Sequence, residues 1–311
     1  MVESEPKKLL VSIIIPTYHR ANLLADCLSG LALQRPQNVD FEVLVVDNGD
    51  DDGATKRVVE AQAEIPRLRY LQSHPPGVSQ ARNVGLENAL GDISVFLDDD
   101  EVPHRGWLTA ITEPFALEDP KVDIVCGGIN PVWESPRPAW LHDRYLSFFS
   151  AGVGHEGKNA WSDEPRVMTS KEWLLEGNCA IRTALVKEAG GFNTDLGRAN
   201  SSLVSGEGDV LEELRRSGAV AFSAPKALVD HLIHSDRLSK DWLIQRIFAQ
   251  GVTKAITMQK TGSGMPIPNN VAVNLAALNN KEFKDLAGEE LLITAQIFQI
   301  LGFICKKKGL L

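Results

Sequence analysis

The segment FLDDDE, Phe96 to Glu101, sets four carboxylates in succession directly behind a short apolar run. Two like charges about 4 Å apart repel by about 1 kcal/mol in water and about 4 kcal/mol at an effective dielectric of 20. A chain that needed only solubility would interleave such acids with lysines. If the strand continues through them, alternation sends Asp98 and Asp100 to the same side. Two carboxylates on one side of a strand end make a hard oxygen site suited to Mg2+ or Mn2+, ions that keep waters and share a substrate's phosphates. Such an ion would offset the repulsion and neutralise a diphosphate leaving group. The plain alternative is a solvated acidic turn. The apolar strand in front of the acids favours the metal.

These residues need elements to position them. LVSIII (residues 10–15) is a continuous β-branched run, the pattern of a parallel strand buried on both faces. Leu23, Leu24, Cys27, Leu28 and Leu31 give residues 21–33 helical spacing. FEVLVVDNG is a second strand ending in Asp47. Residues 54–63 then read as helix, LRYLQ as strand, SQARNVGLENAL as helix and ISVFLDDDE as strand. This βαβαβαβ order predicts an open, doubly wound α/β sheet with helices on both faces, binding its ligand beyond the carboxyl ends of the strands. Three polar sets fall at those ends: residues 17–20, 47–50 and 98–101. Beyond Trp107 the pattern changes. VDIVCGGINPVW is a strand entering a Pro- and Trp-rich connection, and the polar residues 151–170 read as a long mobile loop. EWLLEGNCAIR is a strand, and TALVKEAGGF a short helix stopped by its glycines. LGRANSSLVSGEGD opens the helix VLEELRRSG, and AVAFSAPKALVDHL ends a second, antiparallel part of the sheet.

Composition narrows the function classes. The 311 residues carry a net charge of -9, which argues against a nucleic-acid binder working through a broad basic face. Cys27, Cys126, Cys179 and Cys305 are scattered, so neither a zinc site nor a disulfide framework is indicated, and a reducing, cytoplasmic setting is the expectation. The apolar run after Lys7 and Lys8 is short, ends at Pro16 and leads to TYHR, which fits a buried strand rather than an export signal. No stretch reaches the ~20 apolar residues of a membrane-spanning helix.

VSIIIPTYHR, VLVVDNGDDDG and GVSQARNVGLENALGDISVFLDDDE together resemble the nucleotide-binding half of family 2 glycosyltransferases, which have the GT-A fold. LEGNCAIRTALVKEAGGFNTDLGR, SGEGDVLEELRRSG and AFSAPKALVDH resemble that family's acceptor half in the usual order. The resemblance covers residues 10 to about 245. It implies a nucleotide-sugar-binding half (1–105) and an acceptor half (106–240) of one domain, followed by a helical extension (241–311). It places Pro16, Thr17, Tyr18 and Arg20 along the nucleotide, Asp47 on the base, Arg82 near the nucleotide, and Asp98 and Asp99 in the nucleotide site with Asp98 toward the ribose. Asp100 and His231 become the metal residues for Mn2+ or Mg2+. Taken alone, Asp47 could make the Asx turn that DNG favours, Arg82 could lie on a helix surface, and His231 could be a polar residue at a strand end, with His234 close by.

Transfer with inversion needs one base to take the proton of an acceptor hydroxyl. The family commonly has Glu-Asp where this chain has GEGD, and counting back from LRRSG puts Glu207 at the base position. Asp209 competes, although at a helix start it could equally serve as a capping acid. Glu176, Gly177 and Asn178 fall where the family contacts donor sugar or acceptor. Trp133, Trp140, Trp161 and Trp173 could stack on sugar rings or anchor core and loops.

The reading that results is an inverting transferase using a nucleotide-sugar, UDP-linked by preference, and a saccharide or lipid-linked acceptor. Residues 240–260 form an amphipathic helix. LLITAQIFQILGFIC, followed by Lys306, Lys307 and Lys308, could lie peripherally on an anionic membrane surface or dock on the core or on another copy in a homo-oligomer. The alternatives are a catalytically silent nucleotide-sugar binder, and a nucleotidyltransferase, whose glycine-rich phosphate loop IIIPTYHR lacks.

Overall fold

The computed structural model describes residues 8–49, 52–150, 164–169, 172, 174, 176–196 and 209–261, together with 294, 297–301 and 304. Its first half alternates as the hydrophobic pattern predicts. Strands β1 (Leu9–Thr17), β2 (Val39–Asp47), β3 (Leu68–Gln72) and β4 (Ile93–Leu97) are separated by helices α1 (Ala21–Ala32), α2 (Ala54–Glu60) and α3 (Val78–Asn88). They lie in the order β3-β2-β1-β4 and run parallel. β1, β2 and β4 are mostly apolar because both faces are covered, and their buried polar side chains are hydrogen-bonded, Ser12 to Glu42 at 2.6 Å and Ser94 to Thr183 at 2.9 Å. Val11, Ile13 and Ile15 pack with Leu24, Leu28 and Leu31 of α1 on one face. Ile14, Leu44, Val46 and Phe96 pack with Ala81 and Leu86 of α3 on the other.

The second half extends the same sheet. β5 (Glu101–Pro103), α4 (Trp107–Thr112), β6 (Ile124–Trp133), β7 (Arg166–Val167), β8 (Asn178–Arg182), α5 (Thr183–Glu188), α6 (Asp209–Arg216) and β9 (Ala221–Ile233) follow. β8 joins β4 to β6 and is antiparallel to both. α5 ends at Gly190 and Gly191, whose φ of 86° and 76° lie in the left-handed region that glycine enters without a side-chain clash.

Three expectations change. The strand expected through the acids stops at Leu97, and Glu101 begins β5, which pairs antiparallel with β9. The chain reverses at Asp98–Asp100, so strand alternation does not govern where those side chains point. β9 is antiparallel to β5 and β7 but parallel to β6, because a long crossover separates β6 from β9. The strand expected over EWLLEGNCAIR begins only at Asn178. Of the expected loop, residues 151–163 and 170 lie outside the described residues, while 164–169 contain β7.

Helix α7 (Lys240–Thr261) buries Leu243, Ile244 and Ile247 in a third apolar cluster with Leu141, Tyr145, Phe149 and Ile233. Ile297 and Ile300 are buried, and Gln299 Nε2 donates to Gln250 Oε1 of α7 at 2.6 Å. No helix among the described residues is long and apolar enough to cross a membrane.

Candidate active site

The carboxyl ends of β1, β2 and β4 open into a cleft of about 520 Å3. Its floor is strand-end chain: Pro16, Thr17, Tyr18 and Arg20 after β1, Asn48 after β2, and the acidic turn Asp98–Asp100 after β4. The rest of the lining comes from later sequence, with Phe148 and Phe149 of a 3-10 helix (Asp143–Phe149), His231 of β9, Arg237, and Trp242 and Arg246 of α7.

The four acids find their compensation in different directions. Asp98 Oδ1 accepts from Arg82 Nη2 at 3.0 Å. Asp99 accepts from the Thr17 hydroxyl at 2.7 Å and from Arg20 Nη1 at 3.2 Å. Asp100 Oδ2 accepts from the same Arg20 nitrogen at 3.1 Å, with His231 Nε2 at 3.7 Å and Arg237 Nη2 at 4.0 Å. Arg20 is thus a direct cationic partner, supplied from 79 and 80 positions earlier.

Their protonation follows. Burial, and next the charge of Asp100, push the Asp99 carboxyl up to about 7, against the pull of Arg20 and Thr17. Burial acts the same way on Asp100, but the His231 hydrogen bond and charge, with Arg20 and Arg237, outweigh it and hold Asp100 well below the usual carboxylate range. Burial, and then Asp98 and Asp100, raise Glu101 well above its ordinary value and bias it toward its protonated form. One proton-rich and one firmly ionised acid side by side lowers the repulsion between neighbouring carboxylates.

Arg82 is buried, 2 % exposed, and stands behind Asp98 rather than on the cleft surface. It bonds Glu176 as well as Asp98, and its guanidinium lies 5.6 Å from the Phe192 ring centre. Glu176 is therefore buried as the partner of Arg82. The carbonyl of Gly177 accepts the Asp98 N–H at 3.1 Å. A Cβ on Gly177 would meet Asp98 Oδ2 and Glu101 Oε1, each at 2.8 Å, so this position needs the smallest residue.

Other expected site residues lie away from the cleft lining. Asp47 makes the Asx turn, its Oδ1 accepting the Gly49 N–H at 3.0 Å, while Oδ2 accepts the Tyr70 hydroxyl at 2.8 Å. Asn178 is buried, 1 % exposed, and fastens three elements. It accepts from Trp107 Nε1 at 2.9 Å and donates to the carbonyls of Gly128 and Ala227 at 2.9 and 2.8 Å. Trp133 packs 6.4 Å from Phe149 and under the Arg137 guanidinium. Glu207, Trp161 and Trp173 lie outside the described residues, and of Asp209 the structure describes only that it begins α6.

His231 is buried opposite Glu101 in the β5–β9 ladder, and its Nδ1 has no hydrogen-bond partner among the described residues. No group of three or more His, Cys, Asp or Glu side chains that could hold a metal occurs among the described residues. Sequence reasoning placed Asn48 only within the polar set 47–50, and gave Arg237 and Arg246 no part in the site. Asn48 sits beside the recognised Asp47 and had a positional signal. Arg237 and Arg246 had none, since only the tertiary fold brings α7 and the turn after β9 to the strand ends.

A mixed sheet with a parallel nucleotide-type half, an antiparallel extension and an acidic turn beside a histidine of β9 is a GT-A glycosyltransferase fold. The solved structures agree. The mannosyltransferase PcManGT from Pyrobaculum calidifontis, in complex with GDP-Man and Mn2+, superposes with a TM-score of 0.60 at 21% identity, over 97% of this chain and 88% of that one. S. aureus TarS 1-349 in complex with UDP-GlcNAc superposes at 0.54 and 17% identity, over 97% and 73%. At those identities the likeness speaks for the fold.

The family model of glycosyl transferase family 2 matches residues 12–183, more than half of the chain, and this chain belongs to that family. Glycosyltransferase AglE of Haloferax volcanii is 34% identical over 139 residues, 44% of each chain. Succinoglycan biosynthesis protein ExoM of Rhizobium meliloti is 26% identical over 267 residues, 85% of this chain and 80% of that protein. The protein is a transferase of glycosyl groups.

Proposed function

We propose that this chain transfers a sugar from a nucleotide-sugar, with inversion, to a saccharide or lipid-linked saccharide acceptor. The observation that carries the reading is the meeting of Asp100 and the buried His231, whose Nε2 lies 3.7 Å from Asp100 Oδ2, at the strand-end cleft that Thr17 and Arg20 also line. PcManGT with GDP-Man and Mn2+ and TarS with UDP-GlcNAc support a nucleotide-sugar in this fold's cleft. A glucosyl-dolichyl phosphate glucuronosyltransferase of Haloferax volcanii, 23% identical over 251 residues, supports a lipid-linked acceptor, and the succinoglycan protein supports a polysaccharide one.

The residues present suit a hard divalent ion such as Mn2+ or Mg2+. Asp100 offers an ionised oxygen and His231, when neutral, the Nε2 that lies 3.7 Å from it, two protein donors that would leave positions for water and donor phosphates. When bound, such an ion supplies a positive charge for the diphosphate that departs. The chain's own part is orientation. Thr17 and Arg20 fix Asp99, Arg82 and Gly177 fix Asp98, and the turn thereby presents Asp100 toward His231. In this reading residues 1–105 hold the donor, 106–240 the acceptor, and Glu207 takes the acceptor proton, on the cytoplasmic face of a membrane.

A panel of UDP- and GDP-sugars, scored for Mn2+-dependent release of free nucleotide, tests the reading. At least one donor should be hydrolysed with Mn2+ and none in EDTA. Binding without turnover across the panel and across acceptors would turn the assignment to a silent binder. Glu207→Gln should abolish transfer while leaving donor binding intact. Normal turnover by Glu207→Gln with loss in Asp209→Asn would move the base to Asp209.

A further inference from the structure

We propose that Arg237 binds the distal phosphate of the donor's diphosphate and supports its departure. This inference rests on the nucleotide-sugar reading above. Arg237 closes a one-turn 3-10 helix (Ser235–Arg237) that folds back directly after β9, the strand carrying His231. Both residues therefore reach the cleft from the same end of one strand, and both approach the same oxygen, Asp100 Oδ2.

The two arginines at that oxygen are not equivalent. Arg20 is committed, holding Asp99 and Asp100 at 3.2 and 3.1 Å. Arg237 stands at 4.0 Å, beyond hydrogen-bond reach, and its guanidinium makes no hydrogen bond among the described residues. Arg246, the other cation in this part of the lining, already donates through Nε to the Phe148 carbonyl at 3.3 Å. A partly buried guanidinium with a fork of five N–H donors, unspent and facing a cleft, is a site for an oxyanion. Its neighbour identifies which one. Arg237 approaches Asp100 and not Asp99, so it lies at the Asp100–His231 end of the acidic turn, away from the Thr17 end where β1 and β2 would receive the nucleoside. A phosphate there is the distal one, which carries the sugar. As the sugar–oxygen bond breaks and its electron pair stays on that phosphate oxygen, the added charge develops beside Arg237. The matched family segment ends at residue 183, so this cation comes from chain beyond it.

Calorimetric titration of UDP, UMP, GDP and GMP into the full chain, with Mn2+ and separately with EDTA, tests this. The wild type should prefer one diphosphate over its monophosphate. Arg237→Ala should weaken that diphosphate about tenfold to a hundredfold, the range of a charge-assisted hydrogen bond. The monophosphate should stay within about twofold, and the loss should persist in EDTA because the side chain meets the phosphate itself. Arg237→Lys should recover part of the affinity. Equal weakening of mono- and diphosphate would mean that Arg237 only shapes the cleft, and unchanged diphosphate affinity would likewise overturn the inference while leaving the nucleotide-sugar reading intact. A wild type that binds neither diphosphate would overturn that reading and this inference with it. Melting curves establish that the variants fold, and Arg237→Gln replaces Arg237→Ala if the latter does not.

Discussion

The acidic turn divides its labour residue by residue, and Asp99 and Asp100 show it most sharply. Asp99 is buried against Asp98, Asp100, Arg20 and the Thr17 hydroxyl, and its carboxyl is pushed up to about 7. Between the ordinary carboxylate value near 4 and about 7, the folded chain then holds a proton that the unfolded chain has lost. Stability must therefore fall as pH rises through that window. In EDTA, chemical denaturation of the wild type should show this decline from pH 5 to pH 8. Asp99→Asn, neutral throughout, should flatten the curve and gain on the wild type by about 1–3 kcal/mol at pH 8. A wild-type curve rising over that range would contradict the protonation pattern. Asp100 behaves oppositely, since His231, Arg20 and Arg237 keep it ionised despite its burial. Asp100→Asn should remove Mn2+-dependent thermal stabilisation by nucleotide and lower activity by at least about 100-fold.

At the scale of elements, close packing sets how the site is held. α3 rides directly on β1, and a Cβ on Gly85 would collide with the Ile14 side chain. Gly85→Ala should cost about 1–3 kcal/mol by overpacking, and combining it with Ile14→Ala should cost less than the sum of the two, read as a double-mutant cycle by urea denaturation. Asn178 is the second fastening. Asn178→Ala would leave Trp107 Nε1 and the carbonyls of Gly128 and Ala227 without their partner, a loss of about 3 kcal/mol or more. The same variant should bind nucleotide with unchanged affinity, and a donor-specific defect without a lower melting temperature would return Asn178 to the sugar site. This contrast explains what the sequence made legible. β1, β2 and β4 could be read because strands buried on both faces are mostly apolar, and Thr17, Asp98 and Asp100 because they end or follow such runs. Arg20 as partner of Asp99 and Asp100 could not be read, since the pairing depends on the turn after Leu97. Asp47 and Asn178 look like site residues at strand ends, yet their hydrogen bonds go to Gly49, Tyr70, Trp107 and neighbouring carbonyls.

Taken as a whole molecule, the chain closes its cleft with its own later sequence, which bears on how it would meet a membrane. α7 presents Trp242 and Arg246 to the cleft while Leu243, Ile244 and Ile247 enter the third apolar cluster. The helical residues 297–301 lie against α7 so closely that a Cβ on Gly251 would collide with the Gln299 backbone, and Phe298 meets Phe248 with ring centres 6.4 Å apart. Ile297 and Ile300 are thus spent on protein packing and cannot also enter lipid. With these two side chains packed on protein, attachment of the docked molecule to an anionic surface is expected to run through charge, Lys306, Lys307 and Lys308 being the nearest basic run in sequence. At roughly 1 kcal/mol per basic residue near such a surface, three lysines give weak binding that salt screens within a Debye length of about 10 Å at 0.1 M. Flotation of the full chain with phosphatidylserine vesicles should therefore show retention at low ionic strength, release by 0.5 M NaCl, and none on neutral vesicles. Gly251→Leu should force the two helices apart, lower the melting temperature, and convert retention to a salt-resistant form as the apolar side chains become available to lipid. Salt-resistant retention of the wild type would mean that the segment leaves α7 on its own, and the docked arrangement would then be only one of two states.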